Sequence, residues 1–168
     1  MDIIFCHGLE SHPHGRKYDY LTRAGLTVRS PDFRGLDLAA RVDLLEPILE
    51  EYDAPLLIGS SYGGATALCA AIRHRERGGE TAGLILCAPA LGRPEPPMNA
   101  MDIYAPAPTI ILHGVRDDIV PIGLSRELDA RDDNVKLIEL DDVHDLSGSL
   151  PELLGAVFAF TGTPESAP

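Results

Sequence analysis

Short apolar segments recur along the chain, and stretches with helical spacing lie between most of them. Several of these segments are hydrophobic at every position, as in Leu56-Leu57-Ile58 and Ile110-Ile111-Leu112. Parallel strands that are covered on both faces have this character, because neither face needs polar side chains. The alternation therefore predicts a three-layer α/β fold, with ligand chemistry at the carboxyl ends of the strands. We expect strands at residues 3–6, 27–30, 55–60, 83–88, 108–113 and 135–140.

Helices are predicted between and after these strands. In one of them Pro47 lies inside a run of apolar residues at helical intervals, so that run forms either one helix or two pieces. Another helix is expected to begin at Pro121, because proline fits the first turn of a helix. The predicted helices cover residues 16–24, 38–52, 63–77, 121–130 and 149–160.

The length of 168 residues suits one domain. We predict that this domain spans residues 1–160 and that the small, polar residues 161–168 form a flexible tail. An irregular segment, residues 91–107, separates the fourth and fifth strands and contains four prolines. We expect this segment to form no subdomain.

Composition excludes several classes of function. The chain has 26 acidic and 14 basic residues and a net charge of −12, which argues against binding to nucleic acid or to an anionic membrane. No apolar run approaches the ~18 residues of a membrane-spanning helix. No basic leader precedes the first apolar segment, so we expect a cytoplasmic protein. The three cysteines, Cys6, Cys69 and Cys87, lie in apolar segments and are interpreted as buried reduced thiols.

A serine lies at the predicted turn from the third strand to the following helix. The segment Gly59-Ser60-Ser61-Tyr62-Gly63 matches the pattern G-x-S-x-G, with Ser61 as the central serine. Glycines are needed on both sides because a sharp turn leaves no room for side chains there. Ser60 is the neighbouring alternative, but only Ser61 has glycine at both flanking positions. We therefore predict Ser61 as a nucleophile.

A serine nucleophile needs a base, and the base needs a carboxylate to orient it. Acidic residues follow the fifth predicted strand, where Asp117 is favoured as the orienting acid and Asp118 is the alternative. His144 follows the sixth strand and is predicted to be the base, because the order Ser, Asp, His is the one expected for this architecture. Of the other histidines, His113 is interpreted as part of a His-Gly turn at the end of a strand.

Acyl transfer also requires hydrogen-bond donors for the developing oxyanion. The backbone N–H of Tyr62 follows the nucleophile directly, and the backbone N–H of Leu9 lies in the loop after the first strand. His12 and His14 flank a proline, which is weak support for a metal site. We expect no metal and no cofactor.

These segments together resemble the α/β-hydrolase superfamily, and more narrowly its small lidless bacterial esterases. The resemblance rests on the first loop from His7 to Pro13, on residues 31–35, on residues 59–63, on the stretch from His113 to Pro121, and on His144. It implies a minimal α/β-hydrolase fold, with a six-stranded parallel sheet in the order 2-1-3-4-5-6 and helices on both faces. It also implies that no cap domain is present, because residues 91–107 are too few to build one.

The expected function is hydrolysis of small soluble carboxylic esters through a Ser61–His144–Asp117 triad and an acyl-enzyme. An acyl thioesterase would use the same residues, and a non-catalytic ligand-binding protein on this scaffold is an alternative of a different class. Besides water, the expected partner is a small-molecule acyl ester. Residues that either bind its acyl group or anchor the irregular segment to the core are Met98, Met101 and Tyr104.

Overall fold

A computed structural model describes residues 1–162, within which the strands form one sheet. All neighbouring strands pair in parallel, in the order β2-β1-β3-β4-β5-β6, which confirms the predicted topology. The strands lie within two residues of the predicted boundaries. They are β1 (Ile3–Cys6), β2 (Val28–Arg29), β3 (Leu56–Ser60), β4 (Gly83–Cys87), β5 (Thr109–Gly114) and β6 (Val135–Leu140).

The predicted helices are all present, with shifted ends. They are α1 (Arg16–Arg23), α2 (Leu38–Leu49), α3 (Tyr62–Glu76), α4 (Gly123–Arg131) and α5 (Leu150–Thr161). Helix α5 runs one residue into the stretch predicted as a tail, and residues 163–168 of that stretch lie outside the described residues.

Two predictions about prolines can be compared with these helices. Pro47 does not divide α2, because it lies in the last turn of the helix on the exposed side. Proline has no N–H to donate to the carbonyl four residues before it, but on the exposed side that carbonyl can bind water instead. The prediction that α4 begins at Pro121 is wrong, because the helix begins at Gly123. The first backbone hydrogen bond of α4 runs from the Arg126 N–H to the Ile122 carbonyl, so Pro121 lies outside the helix.

The sheet has a buried apolar layer on each face, because successive residues of a strand point to opposite sides. Leu57 of β3 packs on one side with Leu45 of α2 and Leu68 of α3. Ile58 packs on the other side with Leu153 of α5. Each fully buried side chain of this kind contributes roughly 1.5–3 kcal/mol to folding. The two layers fix the positions of the strand ends, where the candidate site lies.

The segment between β4 and β5 builds no cap over the sheet. Its helical content is a single 3₁₀ turn, Met98–Ala100, and Met98 is buried in the same apolar layer as Leu91. The three cysteines are free and buried, as predicted, and burial raises the pKa of the Cys6 thiol to about 12. Within residues 1–162, no helix has both the length and the apolar character needed to cross a membrane.

Candidate active site

Ser61 lies in a strained turn between β3 and α3. Its φ of 56° places a residue with a side chain in the left-handed region, which glycine ordinarily occupies. The flanking glycines are required by crowding: a Cβ atom at Gly59 would overlap the Gly63 carbonyl, and one at Gly63 would overlap the Cys6 carbonyl. The turn thereby holds the Ser61 hydroxyl above the carboxyl ends of the strands.

The structure brings three predicted residues into one hydrogen-bonded chain. The Oγ of Ser61 lies 2.9 Å from Nε2 of His144, in the loop after β6. Nδ1 of His144 lies 2.7 Å from Oδ2 of Asp117, in the loop after β5. Since a carboxylate only accepts, the His144 Nδ1–H donates to Asp117, and Nε2 is left to accept from the Ser61 hydroxyl. Asp117 makes this contact, whereas Asp118 is exposed.

The Asp117 carboxylate is fully paired. Its side chain has no exposed surface, and its Oδ1 accepts the backbone N–H groups of Ile119 at 2.9 Å and Val120 at 2.8 Å. Burial acts to raise the pKa of Asp117, but the hydrogen bonds from His144, Val120 and Ile119 outweigh it, and the pKa lies below its usual value. The carboxylate is therefore held ionised beside the imidazole.

A second histidine supports Asp117 from behind. His113 is fully buried, and its Nε2 lies 2.8 Å from the Val120 carbonyl and 3.2 Å from Oδ2 of Asp117. Its Nδ1 lies 2.8 Å from Oγ of Ser125. Since a carbonyl oxygen only accepts, the His113 Nε2–H donates to Val120, and Nδ1 is left to accept from the Ser125 hydroxyl. The sequence interpretation of His113 as part of a turn missed this contact, although its spacing of four residues before Asp117 was available as a signal.

Another carboxylate that was missed at the sequence level shapes the loop that carries His144. Asp142 is 6% exposed, and its Oδ1 accepts the Val143 N–H at 2.8 Å. Its Oδ2 accepts the Gly148 N–H at 3.0 Å and the Ser149 hydroxyl at 2.8 Å. Burial acts to raise the pKa of Asp142, but these hydrogen bonds lower it below its usual value. No sequence signal separates Asp142 from its exposed neighbour Asp141.

The two predicted oxyanion donors belong to two different segments beside Ser61. Tyr62 is the first residue of α3, so its N–H has no acceptor within the helix. Leu9 lies in the loop after β1, which packs closely on the turn: a Cβ atom at Gly8 would lie 3.8 Å from Cβ of Ser61. Among the described residues, neither N–H has a hydrogen-bond acceptor. Leu9 and Tyr62 also line the cleft that contains Ser61.

The loop after β1 is fixed by its histidine. The buried His7 ring accepts the backbone N–H of Phe33 at Nε2, over 2.9 Å, so its Nδ1 carries the hydrogen and donates to the Gly8 carbonyl over 2.8 Å. Burial is the main cause that lowers the pKa of His7 and keeps the ring neutral. His7 thus ties the candidate oxyanion loop to the loop after β2.

A cleft of about 1060 Å³ opens over Ser61 and His144. Its rim includes Leu9, Ile119 and Leu124, which are 49%, 67% and 43% exposed. Three basic and three acidic residues line the cleft, so their charges cancel, whereas the whole chain has a net charge of −12. They are Arg16, Lys17, Arg93, Glu10, Glu127 and Asp145.

The residues predicted to bind an acyl group are not part of this lining. Met98 is buried in the core, and Met101 packs against the same apolar layer. Tyr104 is 36% exposed and lies outside the cleft. The structure therefore favours the anchoring role that the sequence left open for this segment. Within residues 1–162, no group of three or more histidine, cysteine or acidic side chains is arranged to hold a metal ion.

The strand order, the strained serine turn and the uncapped cleft define an α/β-hydrolase fold. The chain belongs to the alpha/beta hydrolase family, whose sequence profile matches residues 3–165. No curated protein matches the chain.

Solved structures with the same fold extend this comparison. The chain is 25% identical to a protein described as a hydrolase of the alpha/beta superfamily from Xanthomonas campestris pv. campestris, with a TM-score of 0.72, covering 92% of this chain and 97% of that one. It is 19% identical to the monoacylglycerol lipase of Paleococcus ferrophilus, with a TM-score of 0.69 and coverage of 94% and 92%. It is also 19% identical to Est1E from Butyrivibrio proteoclasticus, with a TM-score of 0.76 and coverage of 95% and 86%.

Proposed function

We propose that the protein is a serine hydrolase that cleaves small carboxylic esters through a covalent acyl-enzyme. The observation that carries this proposal is the continuous hydrogen-bonded chain from Asp117 through His144 to Ser61, at the base of an open cleft. A neutral imidazole that accepts from a serine and donates to a buried carboxylate is arranged for general-base catalysis.

In the proposed reaction, Ser61 Oγ attacks the ester carbonyl carbon while Nε2 of His144 takes its proton. Asp117 stabilises the imidazolium, and the N–H groups of Leu9 and Tyr62 stabilise the tetrahedral oxyanion. The C–O bond to the alcohol then breaks, and His144 returns the proton to the leaving oxygen. Water attacks the acyl-enzyme by the same route, which releases the carboxylic acid and restores the Ser61 hydroxyl.

Several observations support a small ester as the substrate. The cleft is open, and its apolar rim can receive a short acyl chain. The Paleococcus neighbour is named as a monoacylglycerol lipase, and Est1E has been solved with ferulic acid bound. The net charge of −12 supports a small-molecule partner, with no nucleic acid or anionic membrane. We also propose that the protein acts in the cytoplasm.

A fluorophosphonate probe tests the nucleophile, because it reacts only with an activated serine. We expect the wild type to be labelled at Ser61, as located by peptide mass spectrometry. The variant Ser61→Ala is expected to lose labelling and about 10⁶-fold in kcat while remaining folded. Ser60→Ala is the matched control and keeps both signals. A wild type that is not labelled, or is labelled elsewhere, would overturn the proposal in favour of a non-catalytic ligand-binding protein.

Substrate class is tested with nitrophenyl esters and thioesters of matched acyl length. We expect higher kcat/KM for the esters, with the best values at short chain lengths. Consistently higher kcat/KM for the thioesters at every length would instead identify an acyl thioesterase.

A further inference from the structure

Helix α2 places a cation inside the protein without a direct ion-pair partner. Arg41 is fully buried, and none of the ion pairs within residues 1–162 includes it, although the charge of Glu95 acts on it from a longer distance. Its Nη2 atom is buried without a hydrogen-bond partner. Burial lowers the pKa of Arg41, against the opposing effects of Tyr62, Cys6 and Glu95. Burying an unpaired charge is costly, so retaining one here calls for a reason beyond packing.

Arg41 contacts the loop after β1, the loop after β2 and the first residue of α3. Its Nη1 donates to the His7 carbonyl over 2.9 Å, and its Nε donates to the Leu36 carbonyl over 3.1 Å. The guanidinium carbon lies 4.6 Å from the ring centroid of Tyr62 and 5.5 Å from that of Phe33. Both distances are within the range of cation–π attraction.

These contacts join the two chain segments that carry the candidate oxyanion donors. The His7 carbonyl belongs to the peptide that leads into Gly8 and Leu9, whose N–H is one donor. The ring of Tyr62 belongs to the residue whose N–H is the other donor. The two segments also touch directly, because a Cβ atom at Gly63 would lie 2.6 Å from the His7 carbonyl oxygen. One guanidinium therefore spans both halves of the oxyanion site.

We propose that Arg41 is a positioning residue, which sets the distance and orientation of the Leu9 and Tyr62 N–H groups relative to the oxyanion. This inference rests on the proposed function of the same site. Arg41 is not part of the cleft lining, so it acts through the segments that it contacts, and among these the His7 peptide and the Tyr62 ring lead to the two donors. A planar guanidinium can donate to two carbonyls and stack on a ring at once, whereas a lysine ammonium is a point charge on a flexible stem.

The test compares Arg41→Met and Arg41→Lys with Leu45→Ala, a buried residue one turn further along α2 that contacts neither loop carbonyl. For each variant we would measure urea unfolding, kcat and KM on the best ester, and the inhibition constant of a trifluoromethyl ketone. That ketone adds to the serine and forms a tetrahedral oxyanion. All rates are taken at a temperature where each variant is folded.

For Arg41→Met we expect kcat to fall about 10- to 100-fold, because a displacement of 1 Å in a catalytic group costs about 100-fold. KM should stay within about threefold. The inhibition constant of the ketone should rise by the same factor by which kcat/KM falls, since both quantities report binding of the oxyanion. Arg41→Lys should lose about 3- to 10-fold in kcat, because one carbonyl contact can be kept. Leu45→Ala should lose stability but keep kcat and ketone affinity.

Wild-type kcat and ketone affinity in folded Arg41→Met would overturn the inference, as would an equal loss of kcat in Leu45→Ala. If Arg41→Met does not fold, Arg41→Lys decides: unchanged kcat overturns the inference, and a loss confined to kcat supports it. A failure of the proposed function looks different, because the wild type itself would then show no fluorophosphonate label at Ser61.

Discussion

The loops after β5 and β6, which we call the acid side of the site, face the loop after β1, the oxyanion side, across Ser61. The hydrogen bonds that hold the two sides differ in how far apart the bonded residues lie along the chain. On the acid side, Asp117 accepts N–H groups two and three residues ahead of it, and Asp142 accepts groups one to seven residues ahead. On the oxyanion side, His7 is held by Phe33 and Arg41, which are 26 and 34 residues away.

Because of this difference, we expect the two sides to respond differently to amino-acid substitutions. On the acid side, each loop is folded by a carboxylate of its own and the Arg116 N–H binds the Asp142 carbonyl between the two loops, so a substitution there should act within these loops. The oxyanion side depends on the docking of α2 and of the loop after β2, so it should respond to substitutions that never touch the cleft.

Asp117→Asn should lower kcat about 10⁴-fold, because an amide favours the wrong tautomer of His144 and cannot stabilise the imidazolium. Asp118→Asn is the matched control one residue away, and its exposed side chain predicts a change of less than about threefold. Steady-state kinetics on one ester is sufficient. If the two variants lost equal activity, the assignment of the orienting acid would be wrong.

Asp142→Asn should lower the free energy of unfolding by about 1–3 kcal/mol at pH 7, because it weakens three hydrogen bonds to a buried carboxylate. The pKa of Asp142 is lowered by folding, so its ionised form stabilises the protein above the unfolded pKa of about 3.9. That contribution is lost as the pH falls through the folded pKa.

The stability difference between wild type and Asp142→Asn should therefore shrink as the pH falls below about 4, which urea unfolding across pH can measure. Asp141→Asn is the control: Asp141 is exposed and pairs with Arg116 at the surface, so we expect a change within about 0.5 kcal/mol. A gap that stayed constant down to low pH would show that the Asp142 charge is not what stabilises the loop.

His113→Leu should reduce kcat about tenfold, since it removes the hydrogen bond to the Val120 carbonyl and the ring that lies 3.2 Å from Asp117, which loosens the carboxylate that orients His144. Ser125→Ala is the comparison, because it leaves the His113 Nε2–H in place and should change kcat by less than about threefold. Both side chains are buried, so unfolding curves must accompany the rates. Equal losses in the two variants would argue for a packing effect alone.

The smallest effects are expected at the rim. Leu9→Ser and Ile119→Ser remove exposed apolar surface from the two sides of the cleft, and each should raise KM about 3- to 10-fold for an octanoate ester and little for an acetate. Met101→Ala lies outside the lining and should leave the chain-length profile unchanged. A shift of that profile in Met101→Ala alone would instead indicate that the irregular segment binds the acyl chain.

The sequence predicted the element types, because continuous apolar runs and glycine-bounded turns are local signals, whereas the sheet order was predicted from the resemblance to the α/β-hydrolase superfamily. The same local character made Ser61, Asp117 and His144 visible, since each lies within four residues of the end of a strand that could be recognised. Arg41 gave no comparable signal: on a helix it resembles any surface arginine until α2 is docked. The start of α4 was predicted wrongly at Pro121, because proline occurs both in the first turn of a helix and just before it.

The crowding around Ser61 also determines where this protein can be re-engineered. The Cβ positions of Gly59 and Gly63 are already occupied by backbone oxygen atoms, so no rotamer adjustment could admit a larger residue at either position. A mutant library aimed at new substrates should leave both glycines invariant and vary Leu9, Ile119 and Leu124. Diversity introduced there would alter the entrance of the cleft while leaving the nucleophile's backbone untouched.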